Sequence, residues 1–214
     1  LHVVKKVLSA ALMLLFAGSV NAEVIQVEYS RFYSHVKKLD GEDTQALQFA
    51  FGFQRVGEGR LCEINNAKIV TDKQTLPLEV SEEYRFTVPS EKVLKMAEAF
   101  VEIDLAEAAN LCDMSVQLET KTAYLKMRYS KEELTYLLEQ YRSFFNEMGS
   151  FLSFMMPTVD GLNIQFADEN ISMPVKDAPN INMGTQMLSA EWIESSKGLV
   201  LPEKPFRITA KATK

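Results

Sequence analysis

Two cysteines have the most specific chemistry in this sequence: Cys62 in "RLCEINNAKIV" and Cys112 in "NLCDMSVQLET". No CxxC spacing is present to lower a thiol pKa or to chelate zinc. In an oxidising compartment, an even number of cysteines is expected to form disulfides. We therefore predict a structural disulfide between Cys62 and Cys112. Two buried free thiols, or a reactive or metal-binding pair, are the alternatives.

Histidine and the acidic residues offer weaker routes to catalysis. His35 is the one imidazole beyond the first 22 residues, so a Ser-His-Asp triad would have to be built on it. It lies off the apolar stripe of its helix, which predicts an exposed side chain. Adjacent acids such as Glu82 and Glu83 do not show two carboxylates facing each other across a cleft, as glycoside hydrolysis requires. A hydrolase-type enzyme using carboxylates or His35 is therefore an alternative hypothesis.

No motif for a cofactor or a bound metal is present in the sequence. A glycine-rich phosphate loop, a nucleophile elbow and the residue order of a calcium loop are all missing. We predict no cofactor and no metal site.

Methionine is unusually frequent, with ten residues in the chain. Thioethers suit Cu(I), so copper handling is a third hypothesis, resting on Met155, Met156, Met183 and Met187. Four others occupy positions that the periodicity predicts to lie in the core, where flexible thioethers fill gaps: Met96, Met114, Met127 and Met148.

The end of the longest predicted helix, "YRSFFNEMGSFLSFMMP", carries more apolar residues than one buried face needs. The surplus is either covered by the C-terminal segment or exposed as a surface for an apolar ligand or a partner protein. The residues of this candidate apolar binding surface are Phe144, Phe145, Phe151, Leu152, Phe154, Met155 and Met156.

The elements that position these residues are mainly strands. In "QALQFAFGFQRV", aromatic and aliphatic residues alternate with small or polar ones, and Gly52 leaves room for a bulge or a close-packed neighbour. "YRFTV" alternates in the same way, and Cys112 shares the predicted buried face of its strand with Met114. Ser130 and Glu133 form a capping box that opens the long helix, which Pro157 ends.

Most of these strands are joined by short turns rather than by helical crossovers, which favours antiparallel pairing. We predict an α+β fold, an antiparallel β-sheet with one long amphipathic helix packed across a face and one or two short helices. Residues 23–214 are predicted to form a single domain. Within it, residues 169–195 are predicted to be irregular, and residues 196–214 to contain short strands.

The first 22 residues have the pattern of a secretory signal peptide. Lys5 and Lys6 precede the apolar run "VLSAALMLLF", and "AGSVNA" supplies a small-residue cleavage site. Removing two lysines and no acids would change the net charge from −6 to −8, with 21 basic residues against 29 acidic ones. A negative surface repels phosphate backbones, so we expect no nucleic-acid partner. No further stretch is apolar for long enough to span a bilayer, and we expect a soluble periplasmic protein.

A family resemblance accompanies these patterns. "MGSFLSFMMPTVDGLNIQFA", residues 148–167, resembles the helix, proline and "V-x-G-L-x-x-x-F-A" signature of an uncharacterised domain-of-unknown-function family of exported gammaproteobacterial proteins. "YSRFY" and the two widely spaced cysteines are similar as well. The resemblance implies a periplasmic location, and it supplies no activity, cofactor or catalytic residue.

Our leading functional hypothesis is a soluble, exported, non-enzymatic protein. Its partner would be an apolar small molecule or another envelope protein, bound at the candidate apolar binding surface.

Overall fold

The computed structural model describes residues 23–149 and 158–213. The helices are α1 (Tyr29–Val36), α2 (Lys92–Met96), α3 (Lys131–Gly149) and α4 (Ala190–Ser195). The first strands are β1 (Glu23–Glu28), β2 (Leu47–Arg55), β3 (Ile64–Val70), β4 (Thr75–Leu78), β5 (Phe100–Leu105), β6 (Cys112–Thr120) and β7 (Arg128–Tyr129). The later strands are β8 (Thr158–Gln165), β9 (Met173–Val175), β10 (Ala178–Ile181), β11 (Thr185–Ser189), β12 (Leu199–Val200) and β13 (Arg207–Thr213).

The described strands pair antiparallel. One sheet has the order β1-β5-β3-β4, a second has β11-β8-β13, and β2-β6, β9-β10 and β7-β12 are two-stranded. The α+β class, with antiparallel sheets and one long helix, is therefore confirmed. Within the described part of the chain, no helix combines the length and the apolar character needed to cross a membrane.

The alternation in β2 builds the centre of the core. Leu47, Phe49, Phe51 and Phe53 are all buried on one face. Phe32 of α1 packs edge-on against Phe51, with ring centroids 5.0 Å apart. Such aromatic pairs add about 0.5 to 1.5 kcal/mol beyond the area they bury, so they hold α1 firmly over β2.

Helix α3 begins with the predicted capping box. The Ser130 N–H donates to the Glu133 carboxylate at 2.9 Å, and the Glu133 N–H donates to the Ser130 hydroxyl at 3.2 Å. Further along, the buried Tyr141 hydroxyl donates to the Ile208 carbonyl at 2.7 Å and lies 3.0 Å from the Thr120 hydroxyl. Tyr141 thereby joins α3 to both β6 and β13.

The predicted disulfide is confirmed. Cys62 and Cys112 are bonded, with their Cα atoms 6.2 Å apart, and both are buried. Cys62 lies next to β2, because its N–H donates to the Phe53 carbonyl. Cys112 pairs with Arg55 of the same strand. The bridge therefore closes the end of the β2-β6 pair.

Part of the segment predicted to be irregular is regular. Residues 173–195 contain β9, β10, β11 and α4. Pro174 and Pro179 stand inside β9 and β10, which are three and four residues long. Proline and short length both weaken the period-two signal on which a strand prediction depends.

The core positions predicted for four methionines are wrong. Met96, Met114, Met127 and Met148 all belong to the exposed large side chains. The alternation of Met114 is correct, since it pairs with buried Phe53. However, β6 lies at the edge of a two-stranded sheet, and α1 covers β2 without covering this part of β6. Alternation defines the face of a strand, whereas burial depends on what packs against that face.

Candidate functional site

The face of β2 and β6 opposite the aromatic core is polar and carries small residues. Successive side chains of a strand point to opposite faces, so the residues between the phenylalanines of β2 all share this side. They pair across the two strands in the order Gln48–Glu119, Ala50–Gln117 and Gly52–Ser115. This polar face is the floor of the candidate site.

Arg85 lies across the floor above Gly52. A Cβ atom on Gly52 would lie 3.0 Å from the Tyr84 carbonyl oxygen and 3.4 Å from the Arg85 Cγ, so a larger residue would force this segment away. The Arg85 guanidinium donates to the Ala50 carbonyl and to the Ser115 hydroxyl, each at 3.3 Å. The prediction that Gly52 admits a close-packed neighbour is thus confirmed.

Arg85 forms no ion pair with any carboxylate of the described residues. Burial, followed by the nearby positive charge of Arg207, lowers the pKa of Arg85, although an arginine remains protonated in proteins. Two of its five N–H donors are used in the two hydrogen bonds above. A partly buried cation with donors to spare is suited to receive an anionic group.

A tight turn fixes the position of Arg85. The Tyr84 N–H donates to the Ser81 carbonyl at 2.9 Å, and the Ser81 N–H donates to the Arg85 carbonyl at 2.7 Å. Tyr84 has a φ of 58°, a left-handed conformation that costs a residue other than glycine about 1 to 3 kcal/mol. The surrounding contacts hold this strained residue in place beside the floor of the site.

Arg207 is the second arginine on the floor, and its charge is compensated. It forms ion pairs with Glu83 and, at 2.7 Å, with Glu119, and it donates to the Gln165 side chain at 3.3 Å. Burial disfavours its charge, but these two carboxylates outweigh that effect and raise the pKa of Arg207. Arg207 therefore organises the floor, while Arg85 keeps free donors.

The charged end of the trough is a cavity of about 470 Å³. Arg60 closes it by donating to both oxygens of Glu107, at 2.8 and 3.0 Å. Hydrogen bonding from Arg60 lowers the pKa of the Glu107 carboxyl. The lining residues are Arg60, Leu61, Glu63, Glu83, Tyr84, Arg85, Glu107, Gln117 and Arg207.

The opposite end is a cavity of about 490 Å³ with a mixed lining of eight apolar and six polar residues, and we call it the apolar end. Its polar members are Asp40, Gln48, Glu79, Thr87, Ser90 and Lys121. Its apolar members are Val36, Leu39, Leu47, Phe49, Pro77, Leu78, Val88 and Pro89.

A middle cavity of about 260 Å³ connects the two ends. It shares Arg85 and Arg207 with the charged end, and Gln48, Glu79 and Thr87 with the apolar end. Neighbouring cavities thus share lining residues, and we call the three together the trough, which has a charged end and an end of mixed polar and apolar lining. Each end has a volume within the range typical of ligand pockets, about 300 to 1,000 Å³.

The candidate apolar binding surface predicted at the end of α3 lies mostly outside the described residues. This applies to Phe151, Leu152, Phe154, Met155 and Met156. Phe144 is buried and packs edge-on against Phe49, with ring centroids 5.7 Å apart. Phe145 is partly buried against the core.

His35 is half-buried rather than exposed as predicted. Its ring lies 5.6 Å from the ring of Phe49 and 6.0 Å from that of Phe51. Burial, and then the charge of Lys38, lowers the pKa of His35. No hydrogen bond joins its imidazole to a carboxylate or a hydroxyl of the described residues. The geometry around His35 therefore gives no support to the hydrolase hypothesis.

Within residues 23–149 and 158–213, the sulfur-containing residues do not form a metal site. The Sγ atoms of Cys62 and Cys112 and a carboxylate oxygen of Glu107 lie within 4.8 Å of one another. The two sulfur atoms are, however, bonded to each other in the disulfide. Met183 and Met187 are exposed, at 78% and 58%, while Met155 and Met156 lie outside the described residues. Nothing in the described residues favours copper handling.

Sequence reasoning missed Arg85 and Arg207 as site residues. The sequence feature that could have identified them is the face of β2 formed by small and polar residues, because small residues leave room for another segment of the chain to pack against that face. The strand predicted for "YRFTV" is wrong, because Tyr84 and Arg85 belong to a turn and Phe86 forms isolated bridges, although Phe86 and Val88 are buried as the alternation indicates. The side chains that meet across the floor come from positions as far apart as 48 and 207, and no local pattern shows that they converge.

A search of curated proteins and a search of solved structures each found nothing that matches. A family model described as "Protein of unknown function (DUF2987)" matches residues 21–166. The match includes Gly52, Arg85 and both cysteines, and it covers more than half of the 214 residues. The chain therefore belongs to the DUF2987 family, a family of unknown function.

Proposed function

We propose that this protein is an exported, non-enzymatic binding protein for an amphipathic anion. The charged group of the ligand lies at Arg85, and its apolar part lies over Pro77 and Leu78. The observation that carries this proposal is the trough, which has an arginine without an ion-pair partner among the described residues at one end and apolar side chains such as Leu78 among the lining of the other.

The polarity of the trough supports a ligand with two different ends. A purely apolar ligand would cover the Arg85 donors that Ala50 and Ser115 leave unused, and unsatisfied buried donors are costly. A small anion would leave the apolar end filled with water. An acyl chain that carries a carboxylate or a phosphate satisfies both ends at once.

The proposed site retains the apolar ligand of the leading hypothesis but changes its location. Phe49 lines the apolar end and is supported from the other side by Phe144. Phe144 thus contributes to the proposed site by packing against its wall, rather than by offering a binding surface of its own.

Export is supported by the signal-peptide pattern of residues 1–22 and by the disulfide, which is typical of oxidising compartments. The family match begins at residue 21, next to the proposed cleavage point. We therefore place the mature protein in the periplasm.

The proposal is tested by titrating the mature protein, residues 23–214 with the disulfide intact, with three probes in a calorimeter. Dodecanoate has both the charge and the chain, dodecanol has only the chain, and acetate has only the charge. We expect dodecanoate to bind at least about tenfold more tightly than dodecanol, because a charge-assisted hydrogen bond contributes about 1.5 to 3 kcal/mol. It should also bind more tightly than acetate, because each buried CH₂ group of the chain contributes about 0.8 kcal/mol.

Variants assign the two ends of the trough. Arg85→Gln should abolish the preference for dodecanoate over dodecanol, whereas Arg31→Gln, which removes an exposed arginine of α1, should keep it. Leu78→Gln should weaken the binding of both chain-bearing probes. The control Leu76→Gln lies on the same strand and is also partly buried, but it does not line the trough. Equal binding of dodecanoate and dodecanol by the native protein, or an unchanged preference in Arg85→Gln, would contradict the proposal.

A further inference from the structure

A second, separate cleft lies between the N-terminal end of α3 and the segment around α4 and β12. Its volume is about 980 Å³. The lining residues are Lys126, Arg128, Tyr129, Ser130, Glu133, Lys176, Asp177, Trp192, Ser195, Ser196, Lys197, Gly198, Leu199 and Val200. None of these residues lines the trough described above.

The cleft is basic, although the chain as a whole is acidic. Its lining contains four cationic residues and two acidic ones, whereas the whole chain has a net charge of −6. Lys126 is neutralised by its ion pair with Glu133. Arg128, Lys176 and Lys197 form no ion pair with a carboxylate of the described residues. Three cationic side chains therefore surround one cavity, with Asp177 as the opposing charge.

The backbone around the cleft is built for close approach. Gly198 has a φ of 114°, and a Cβ atom at this position would lie 2.6 Å from the Tyr129 carbonyl oxygen. Only glycine allows residues 196–200 to run so close to β7, where Leu199 pairs with Tyr129 and Val200 pairs with Arg128. This pairing brings Lys197 and Arg128 to the same cavity.

Trp192 contributes an aromatic wall to the cleft. The backbone N–H of Trp192 donates to the hydroxyl of Ser189, the residue that caps α4. This hydrogen bond holds the first turn of the helix in place. Trp192 is the single tryptophan of the chain. Its fluorescence therefore reports on this cleft alone.

We propose that this basic cleft binds a phosphate-bearing ligand. A phosphate monoester carries a charge of about −1.5 to −2 and three acceptor oxygens. It therefore matches several converging cations better than a single carboxylate does. A free organic phosphate monoester and the headgroup of phosphatidic acid both present this chemistry. The cleft shares no lining residue with the trough, so this proposal does not depend on the proposed function.

The test follows Trp192 fluorescence while glycerol phosphate, or vesicles of phosphatidic acid, are added to the mature protein. Equilibrium dialysis with radiolabelled glycerol phosphate, and sedimentation of the vesicles, provide second readouts that do not depend on the indole. We expect saturable binding of at least one of these probes. Sodium acetate at the same ionic strength, and vesicles of phosphatidylcholine, should have no such effect.

Paired substitutions decide whether the cleft is responsible. The double variant Arg128→Gln/Lys197→Gln should weaken phosphate binding at least about tenfold, since each lost charge-assisted contact is worth about that factor. The matched control Lys73→Gln/Lys92→Gln removes two exposed lysines elsewhere and should bind like the native protein. Binding of glycerol phosphate identifies a soluble ligand, and binding of the vesicles alone identifies a headgroup. The proposal is overturned if neither probe binds, if acetate acts equally, or if the folded double variant binds normally.

Discussion

Arg85 reaches the floor of the trough because Gly52 stands opposite it on β2. The two residues are far apart in sequence, yet any side chain on Gly52 would displace the Tyr84 carbonyl. Tyr84 accepts a left-handed backbone in the same turn. The geometry of the site therefore depends on one residue without a side chain and on one residue in a strained conformation.

The strain at Tyr84 can be measured by comparing two substitutions. Tyr84→Gly should be more stable than Tyr84→Ala by about 1 kcal/mol, because alanine keeps the left-handed penalty and glycine does not. At ordinary strand positions the order is the reverse. Urea unfolding of both variants provides the free energies of unfolding. A more stable alanine variant would show that this backbone is unstrained.

The lowered pKa of Glu107 predicts that the stability of the protein depends on pH. Hydrogen bonding from Arg60 lowers its pKa in the folded state, so its contribution is present above the ordinary pKa of about 4.3 and is lost as the pH falls through the folded-state value. Glu107→Gln should therefore be less stable than the native protein at neutral pH, and the difference should shrink below about pH 4.

The check is urea unfolding of both proteins across this pH range. Glu147→Gln, at an exposed position of α3 without an ion pair among the described residues, is the control and should follow the native curve. A Glu107→Gln deficit that stayed constant down to low pH would show that packing, rather than charge, is responsible.

At the scale of elements, β2 has two faces with different tasks. Its phenylalanines form the core under α1, and the residues between them form the floor of the trough. Helix α3 then fixes where the two neighbouring strands lie, since Tyr141 bonds to β13 and lies against Thr120 of β6. Arg207 and Glu119, which meet on the floor, belong to these same two strands.

Removal of the Tyr141 hydroxyl should loosen this junction. Tyr141→Phe leaves the buried Ile208 carbonyl without its donor, and we expect a loss of about 1 to 3 kcal/mol in the free energy of unfolding. Tyr33→Phe, whose hydroxyl has no hydrogen bond within the described residues, should change it by less than about 0.5 kcal/mol. Equal effects of the two substitutions in chemical denaturation would contradict this role.

At the scale of the whole molecule, the trough is assembled from distant parts of the chain. The disulfide lies near its charged end, because Cys62 stands between Leu61 and Glu63, which both line that cavity. The covalent bond thus stabilises the fold and also positions one wall of the proposed site.

Reduction of the disulfide should lower both the stability of the fold and the affinity for dodecanoate. A bridge with a sequence separation of 50 is expected to stabilise the protein by about 4 kcal/mol on the chain-entropy model. Urea unfolding with and without a phosphine reductant measures the loss, and dodecanoate affinity should fall in parallel if the reduced protein remains folded. The double variant Cys62→Ala/Cys112→Ala should be insensitive to the reductant. The prediction would be contradicted if alkylation shows that both thiols are free and the free energy of unfolding is nevertheless the same as that of the oxidised protein.

By itself, the sequence determined the features that depend on local periodicity and on simple chemistry. The buried face of β2, the capping box of α3, the disulfide and the α+β class all follow from spacing or from an even pair of cysteines. The exposure of Met114 and the strands between 173 and 189 did not follow, because burial depends on neighbours and short strands with proline carry little periodic signal.

Only the tertiary structure decided which polar side chains converge. Arg85, Arg207 and Glu119 meet because β2, β6, β13 and the turn at Tyr84 pack together, and long-range packing leaves no trace in local spacing. The trough and the basic cleft are both products of that packing. In each, a single glycine, Gly52 or Gly198, permits the close backbone approach that the site requires.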